Sequence, residues 1–300
     1  MTEEYTSQTI DITPSPRVLR MLGQIDFAPW QCLAELIDNS IDAFIDLRES
    51  NMGVTTPRIS IDLPNQSQAR TPEGYISIRD NGPGMNVEDL QNAVKAGYSG
   101  NDPVEKMGLF GMGFNISTAR MGGRTQMWTT KISDDRWVGV DIDFDSLQSS
   151  GTFAAPLISR EKTSDEIDEQ VHGTEIRISK LDETRIRPLI VGSGKSRATQ
   201  KLGKIYGKVM DDLGISIIYD SRPVKPFKHC VWDENRTVST AAFGSVNAVQ
   251  KIDEILGSAN FCLTCWVWLL ESDSVCPACG LAQNVTPRTR KIKGWIGELT

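Results

Sequence analysis

Between Leu33 and Asp46 the chain reads LAELIDNSIDAFID, and Leu33, Leu36, Ile37, Ile41, Phe44 and Ile45 recur at helical spacing as one apolar stripe. Glu35, Asp38, Asn39, Asp42 and Asp46 gather on the opposite side. Glu35 and Asn39 are four apart and Asp42 lies three further on, so their side chains stack as neighbours and can converge on one ligand. Taken alone, such a face is equally a solvated acidic surface. What lies downstream decides between the two.

Before this helix, Pro14 and Pro16 close a polar segment, and Arg17 to Gln24 reads as a short amphipathic helix. After it, Asn51 to Pro57 breaks the pattern, and Ile59, Ile61 and Leu63 alternate as in a half-buried strand. GYISIR (Gly74 to Arg79) alternates again and runs into Asp80-Asn81-Gly82-Pro83-Gly84-Met85, whose glycines and proline force a tight turn close to another group. Val87 to Ala96 predicts a helix, and Gly97 to Gly108 reads as loop. Gly108-Leu109-Phe110-Gly111-Met112-Gly113-Phe114 then opens into a helix at about Asn115 to Met121. TQMWTTKI and RWVGVDIDF predict an antiparallel pair, Ser159 to Gln170 is polar and acidic, and Gly173 to Ile178 is a further strand. The first domain is expected to close near Leu181.

Beyond that point Thr199 to Leu213 reads as a helix, Ile215 to Tyr219 as a strand, SRPVKP as a turn and Lys291 to Leu299 as a strand. Gly192-Ser193-Gly194-Lys195-Ser196 looks like the end of a phosphate-binding P-loop, but the first glycine of that motif would fall on Leu189. The segment is therefore read as a flexible turn between domains.

Composition narrows the class. Three hundred residues suggest two domains. The N-terminus carries acids and no apolar run, so it is not read as a secretion signal. The longest apolar stretch, Phe261 to Leu270, is too short to span a bilayer. A net charge of -7 argues against indiscriminate attraction to nucleic acid while leaving room for a local basic surface. Four of six cysteines form two CxxC pairs, which points to a reducing compartment and a metal.

The glycine stretch before the helix at Asn115 offers free backbone N–H groups and the positive end of a helix dipole, which suit phosphate. Gly108, Gly111 and Gly113 keep Cβ atoms out of that space. Asp80 could present a carboxylate to a ligand amino group, with Gly82 and Gly84 leaving room for a flat ring. In isolation Asp80 is equally a turn former. Asn39 offers a neutral oxygen that Mg²⁺ accepts beside phosphate oxygens, and Glu35, one turn away, could deprotonate a water for attack on a γ-phosphate.

Taken together and in this order, these residues resemble the GHKL superfamily of gyrase-type ATPases, heat-shock chaperones, histidine kinases, MutL and microrchidia (MORC) proteins. Glu35-x-x-x-Asn39-x-x-Asp42-Ala43, Asp80-x-Gly82-x-Gly84, Gly108-x-x-Gly111-x-Gly113 and Gly173-Thr174 match its four motifs. The resemblance implies an α+β fold, a sandwich of a mostly antiparallel sheet with helices on one face. It implies ATP and Mg²⁺ as ligands, Glu35 as base, Asn39 on Mg²⁺, Asp80 on the adenine amino group and Thr174 supporting Asp80. Asp42, Gly82, Gly84, Met85, Lys106, Gly108, Phe110, Gly111, Met112, Gly113 and Phe114 complete the expected nucleotide site, with Gly97 to Lys106 as a lid. GLFGMGF with ELIDNSIDA is most similar to the chaperone and MORC branches; the GFRGEAL wording of MutL is absent. Neither His172 nor His229 lies on a phospho-acceptor helix as in histidine kinases.

The expected division is an ATP-binding domain over 1–182 and a transducer-like domain over 183–300, the latter interrupted by a zinc element at about 258–284 and cut short at its C-terminus. Cys262-x2-Cys265 and Cys276-x2-Cys279 can each form a knuckle holding two thiolates of one tetrahedral Zn²⁺ site. Their spacing resembles small ubiquitin- or RNA-binding fingers, but Asn260 and Leu269 stand where those carry tryptophan and asparagine, so partner recognition does not transfer. The functional expectation is an ATP-hydrolysing, ATP-gated homodimeric clamp acting on DNA or a protein client, with no membrane partner, cytoplasmic or, in a eukaryote, nuclear. The alternatives are a protein-binding chaperone-type module and a nucleic-acid-binding protein that uses ATP structurally.

Overall fold

A computed structural model describes residues 12–49, 56–97, 111–228, 236–242, 244–247 and 249–297. They fall into two compact units, one running to Phe227 and the other starting at Lys228.

The first unit holds, in chain order, α1 (Arg17–Leu22), α2 (Pro29–Glu49), β1 (Arg58–Asp62), β2 (Tyr75–Asp80), α3 (Val87–Val94), α4 (Gly113–Met121), β3 (Gly122–Thr130) and β4 (Arg136–Asp143). Then come α5 (Phe144–Ser150), β5 (Leu157–Glu161), α6 (Ser164–Asp168), β6 (Gly173–Leu181), α7 (Glu183–Ile190), α8 (Gly192–Leu213), β7 (Ser216–Tyr219) and β8 (Arg222–Pro223). Their strands form one sheet in the order β5-β4-β3-β6-β2-β1-β7-β8. Only the β1–β7 pair is parallel; its neighbours are antiparallel.

Register explains the two faces of this sheet. Ile61, Ile78, Ile176, Met127 and Val140 are successive cross-strand partners and all are buried. Because side chains alternate along a strand, the adjoining row Ser77, Arg177, Gln126 and Asp141 points the other way. That second face satisfies itself with charge: Glu175 accepts from Ser77 and Arg177, and Arg124 pairs with Asp141. The apolar face takes the helices. In α2 the expected stripe is intact, with Leu33, Leu36, Ile37 and Ile41 at 0% exposure, and α2 packs against α4, α7, α8 and β2. This is the α+β sandwich that the motifs implied.

Past β6 one expected turn is replaced by helix and one further helix appears. The compact unit continues to Phe227, because β7 pairs with β1 inside the main sheet and buries Ile217 and Tyr219 in the same core. Between β6 and α8 lies α7, capped by Asp182 accepting from Arg185 N–H. The Gly192 to Ser196 segment is no turn but the first residues of α8. Glycine and serine are poor helix formers, and packing of α8 against α7 supplies what local propensity lacks.

The second unit is of another kind. β9 (Thr237–Thr240) and β10 (Gly244–Asn247) form a hairpin, and β11 (Val249–Cys262) pairs along its length with β13 (Val285–Gly297), with the short β12 (Val267–Leu269) on β11's other edge. Its buried cluster consists of Cys262, Leu269 and Cys276, with Cys265, Cys279 and Val285 against it. Among the described residues no helix is long and apolar enough to cross a membrane.

Candidate functional site

Three segments far apart in sequence meet along α2. Asp80 ends β2 and is buried. Its Oδ2 accepts from Ser40 Oγ of α2 at 3.0 Å, and its Oδ1 accepts from Gly82 N–H at 2.8 Å and Thr174 N–H at 3.2 Å. An ionised carboxylate offers about four lone-pair positions. Three are used, and Oδ2 keeps room for one more donor. Burial pushes the Asp80 carboxyl upward, while Gly82, Ser40, Thr174 and the nearby His172 pull the other way by favouring the anion. Thr174 thus supports Asp80 through its backbone N–H.

The glycines beside Asp80 have more specific reasons than room for a ring. Gly84 has φ of +69°, and a Cβ there would stand 2.2 Å from Thr130 O. The turn is thereby pressed onto the end of β3, where Met85 N–H donates to Thr129 Oγ1 at 2.7 Å. Gly82 O lies 2.7 Å from His172 Nδ1.

Glu35 lies half-buried on α2, and burial raises its carboxyl above the ordinary value. A Cβ on Gly113 would sit 1.9 Å from Glu35 Oε2, so the glycine that opens α4 lies directly against the carboxylate. Met112 caps α4 without a side-chain hydrogen bond. The first N–H groups of the helix therefore have no side-chain cap beside Glu35, the arrangement that receives phosphate oxygens. Phe114 is buried, Gly111 and Met112 are half-buried, Asp42 is buried and Asn39 is exposed. Gly97 N–H, where the expected lid starts, donates to Gly111 O of the glycine stretch at 2.9 Å. Lys106, Gly108 and Phe110, with most of that lid, lie outside the described residues, as do residues 1–11, His229 and Cys230.

In the second unit the sulfurs of Cys262, Cys265, Cys276 and Cys279 all lie within 4.8 Å of one another. Cys262 Sγ and Cys279 Sγ are 3.7 Å apart; a tetrahedron of Zn–S bonds of about 2.3 Å requires about 3.8 Å between sulfurs. Cys265 N–H points at Cys262 Sγ, a charge-stabilising contact that pulls this thiol below its ordinary range. Gly280, at φ of +71°, follows Cys279 and donates its N–H to Cys276 O. The donor set and spacing fit Zn²⁺. Trp266 and Trp268 beside it remain 40% and 43% exposed, so neither is core.

Ser40 and His172 belong to the site and have no spacing signature. Ser40 directly follows Asn39 in α2, and His172 directly precedes the Gly173-Thr174 pair. Adjacency to those motifs is the only signal that could have found them.

The motifs and the sheet are those of the GHKL class, and comparison with known proteins agrees. Residues 27–174 match the family of histidine kinase-, DNA gyrase B-, and HSP90-like ATPases, and this segment, with its motifs and sheet, is of the GHKL type. Among individual relatives it is similar to three proteins of Arabidopsis thaliana. Protein MICRORCHIDIA 1 is 31% identical over 97 residues, 32% of this chain and 14% of the relative. Protein MICRORCHIDIA 4 is 27% identical over 141 residues, 44% of this chain and 16% of the relative. Protein MICRORCHIDIA 3 is 32% identical over 97 residues. The matched segments thus cover only about a seventh of these relatives' own lengths.

Proposed function

We propose that the first unit binds ATP with Mg²⁺ and hydrolyses it, and that nucleotide closes a homodimeric clamp. The observation that carries this reading is Glu35 lying against Gly113 at the start of α4. A purely structural nucleotide site has no need of a partly buried carboxylate at the phosphate end.

In the proposed reaction the adenine amino group donates to the remaining lone pair of Asp80 Oδ2. The N–H groups opening α4 hold phosphate oxygens. Glu35 takes a proton from water as its oxygen bonds to the γ-phosphorus and the bond to the ADP oxygen breaks. A carboxylate raised by burial is a stronger base for that step. Asn39 is the residue that would hold Mg²⁺, which would neutralise phosphate charge. The segment from 183 onward is read as a transducer-type element, its part beyond Lys228 carrying a structural zinc, and DNA as the partner of the closed dimer.

Glu35→Ala should leave ATP affinity nearly intact in calorimetry and lower hydrolysis about a hundredfold or more, the usual size of general-base loss. Unchanged turnover would remove Glu35 from the chemistry. Asp80→Asn should abolish binding, because its amide brings a donor where four donors must be accepted. The Glu35→Ala chain, holding ATP unhydrolysed, should sediment as a dimer with ATP and as a monomer without nucleotide. A monomer under both conditions removes the clamp.

The half-exposed Trp266 and Trp268 favour a second reading, a chaperone-type module that holds a protein client through the zinc element. Salt-sensitive DNA retention that depends on ATP supports the clamp; salt-insensitive capture of unfolded protein supports the chaperone.

A further inference from the structure

α8 packs against α2, and Tyr206, at 0% exposure, is a buried point of that contact. The Tyr206 hydroxyl lies 3.0 Å from Ala34 O and 2.6 Å from Asp38 Oδ1, both on α2. A phenol has one proton, and the shorter contact to a carboxylate takes it. Burial pushes the Asp38 carboxyl up to about 6, the Tyr206 bond opposes this, and Glu35 and Asp42 add to it.

The positions that Tyr206 touches are 34 and 38, one turn apart, and those expected to work on ATP are 35 and 39, the next residue in each case. A helix is a rigid rod, so whatever fixes one edge fixes the direction of the neighbouring edge. Side-chain tips lie about 5–6 Å from a helix axis, and a rotation of about 10° therefore moves them by about 1 Å. A misplacement of that size can cost about a hundredfold in rate.

We infer that Tyr206 is a positioning residue of the ATPase, setting the rotation of α2 through Asp38 so that Glu35 and Asn39 face the phosphate end of the site. The inference rests on Glu35 being the base, as proposed above. Asp38 and Tyr206 touch no reacting atom in this role. The contact also makes α8 a lever: a shift of α8 would turn the edge that carries the base, and Ser40 on the same helix with it.

The test uses the full chain and separates kcat from ATP affinity. Tyr206→Phe removes the hydroxyl and keeps the buried ring. It should lower kcat by about tenfold or more and weaken calorimetric ATP affinity by less than that. Asp38→Asn keeps an oxygen to accept the phenol proton and should retain most of the wild-type kcat. Asp38→Leu, which accepts nothing, should match Tyr206→Phe, and the double variant should be no slower than either, since one contact is lost in each case. All are compared well below their melting temperatures, so a merely structural role leaves kcat unmoved. Wild-type kcat in Tyr206→Phe overturns the inference, as does Asp38→Asn as slow as Asp38→Leu. A wild-type chain that binds ATP but never hydrolyses it overturns the catalytic reading itself, and this inference with it.

Discussion

The two units of this chain are held together in different ways. In the first, a row of five cross-strand partners from Ile61 to Val140 faces the apolar stripe of α2, and one continuous cluster joins sheet and helices. In the second, a long ribbon of β11 and β13 leaves Ile255 69% exposed and gathers its buried atoms around four cysteines. A two-stranded ribbon with one exposed face is marginal in water by itself. Where apolar area is scarce, a bound metal supplies the folding free energy that a core would otherwise supply. The contrast predicts one part that responds to core volume and another that responds to chelation.

The largest expected effect tests the metal side of that contrast. Cys276→Ser, or removal of metal with a strong chelator, should take Zn²⁺ from about one per chain to none. The loss is about 10–16 kcal/mol of apparent binding free energy at neutral pH, and the ribbon should become protease-sensitive. The first unit should still bind ATP and melt as before. A ribbon that stays protected without metal would erase the distinction between the units. Next in size is Leu36→Ala, beneath the sheet at 0% exposure, which should cost the first unit about 2–5 kcal/mol in denaturant melts. Zinc content should not change, and a loss of zinc would show that the two parts fold as one.

The smallest effect concerns charge in the first unit. Glu166 accepts from both Arg160 guanidinium nitrogens at 2.8 Å and from the Trp137 indole at 3.2 Å, and these hold its carboxyl down at about 2. A depressed native value stabilises the fold fully above the unfolded value near 4.5, and the contribution is lost as pH falls toward 2. Glu166→Gln should therefore be less stable than wild type at neutral pH, with the difference closing between about 4.5 and 2. A gap that persists below pH 2 would trace it to packing at Trp137.

What the sequence made legible follows the same division. The α2 stripe could be read because its buried residues are periodic, whereas Asp80, equally a turn former by itself, stood out only beside the other motifs. The cysteine knuckles declared themselves by spacing. Ser40 and Tyr206 could not be read that way: each matters for one contact to a distant residue, Asp80 in one case and Asp38 in the other. Residues 192–196 misled because local propensity spoke for a turn while packing against α7 decided for helix. The pairing of β7 with β1 was hidden for a related reason, since it joins Arg58 to Ser216, far apart in the chain.

The bond from Gly97 N–H to Gly111 O has a consequence for how the nucleotide loop can vary in length. Residues 98–110 run between these anchors. Holding the ends of a loop of this size together costs about 2 kcal/mol of closure entropy, and doubling its length adds only about 0.6 kcal/mol. A residue at either glycine that cannot keep the Gly97–Gly111 pair would thus release both chain ends at once.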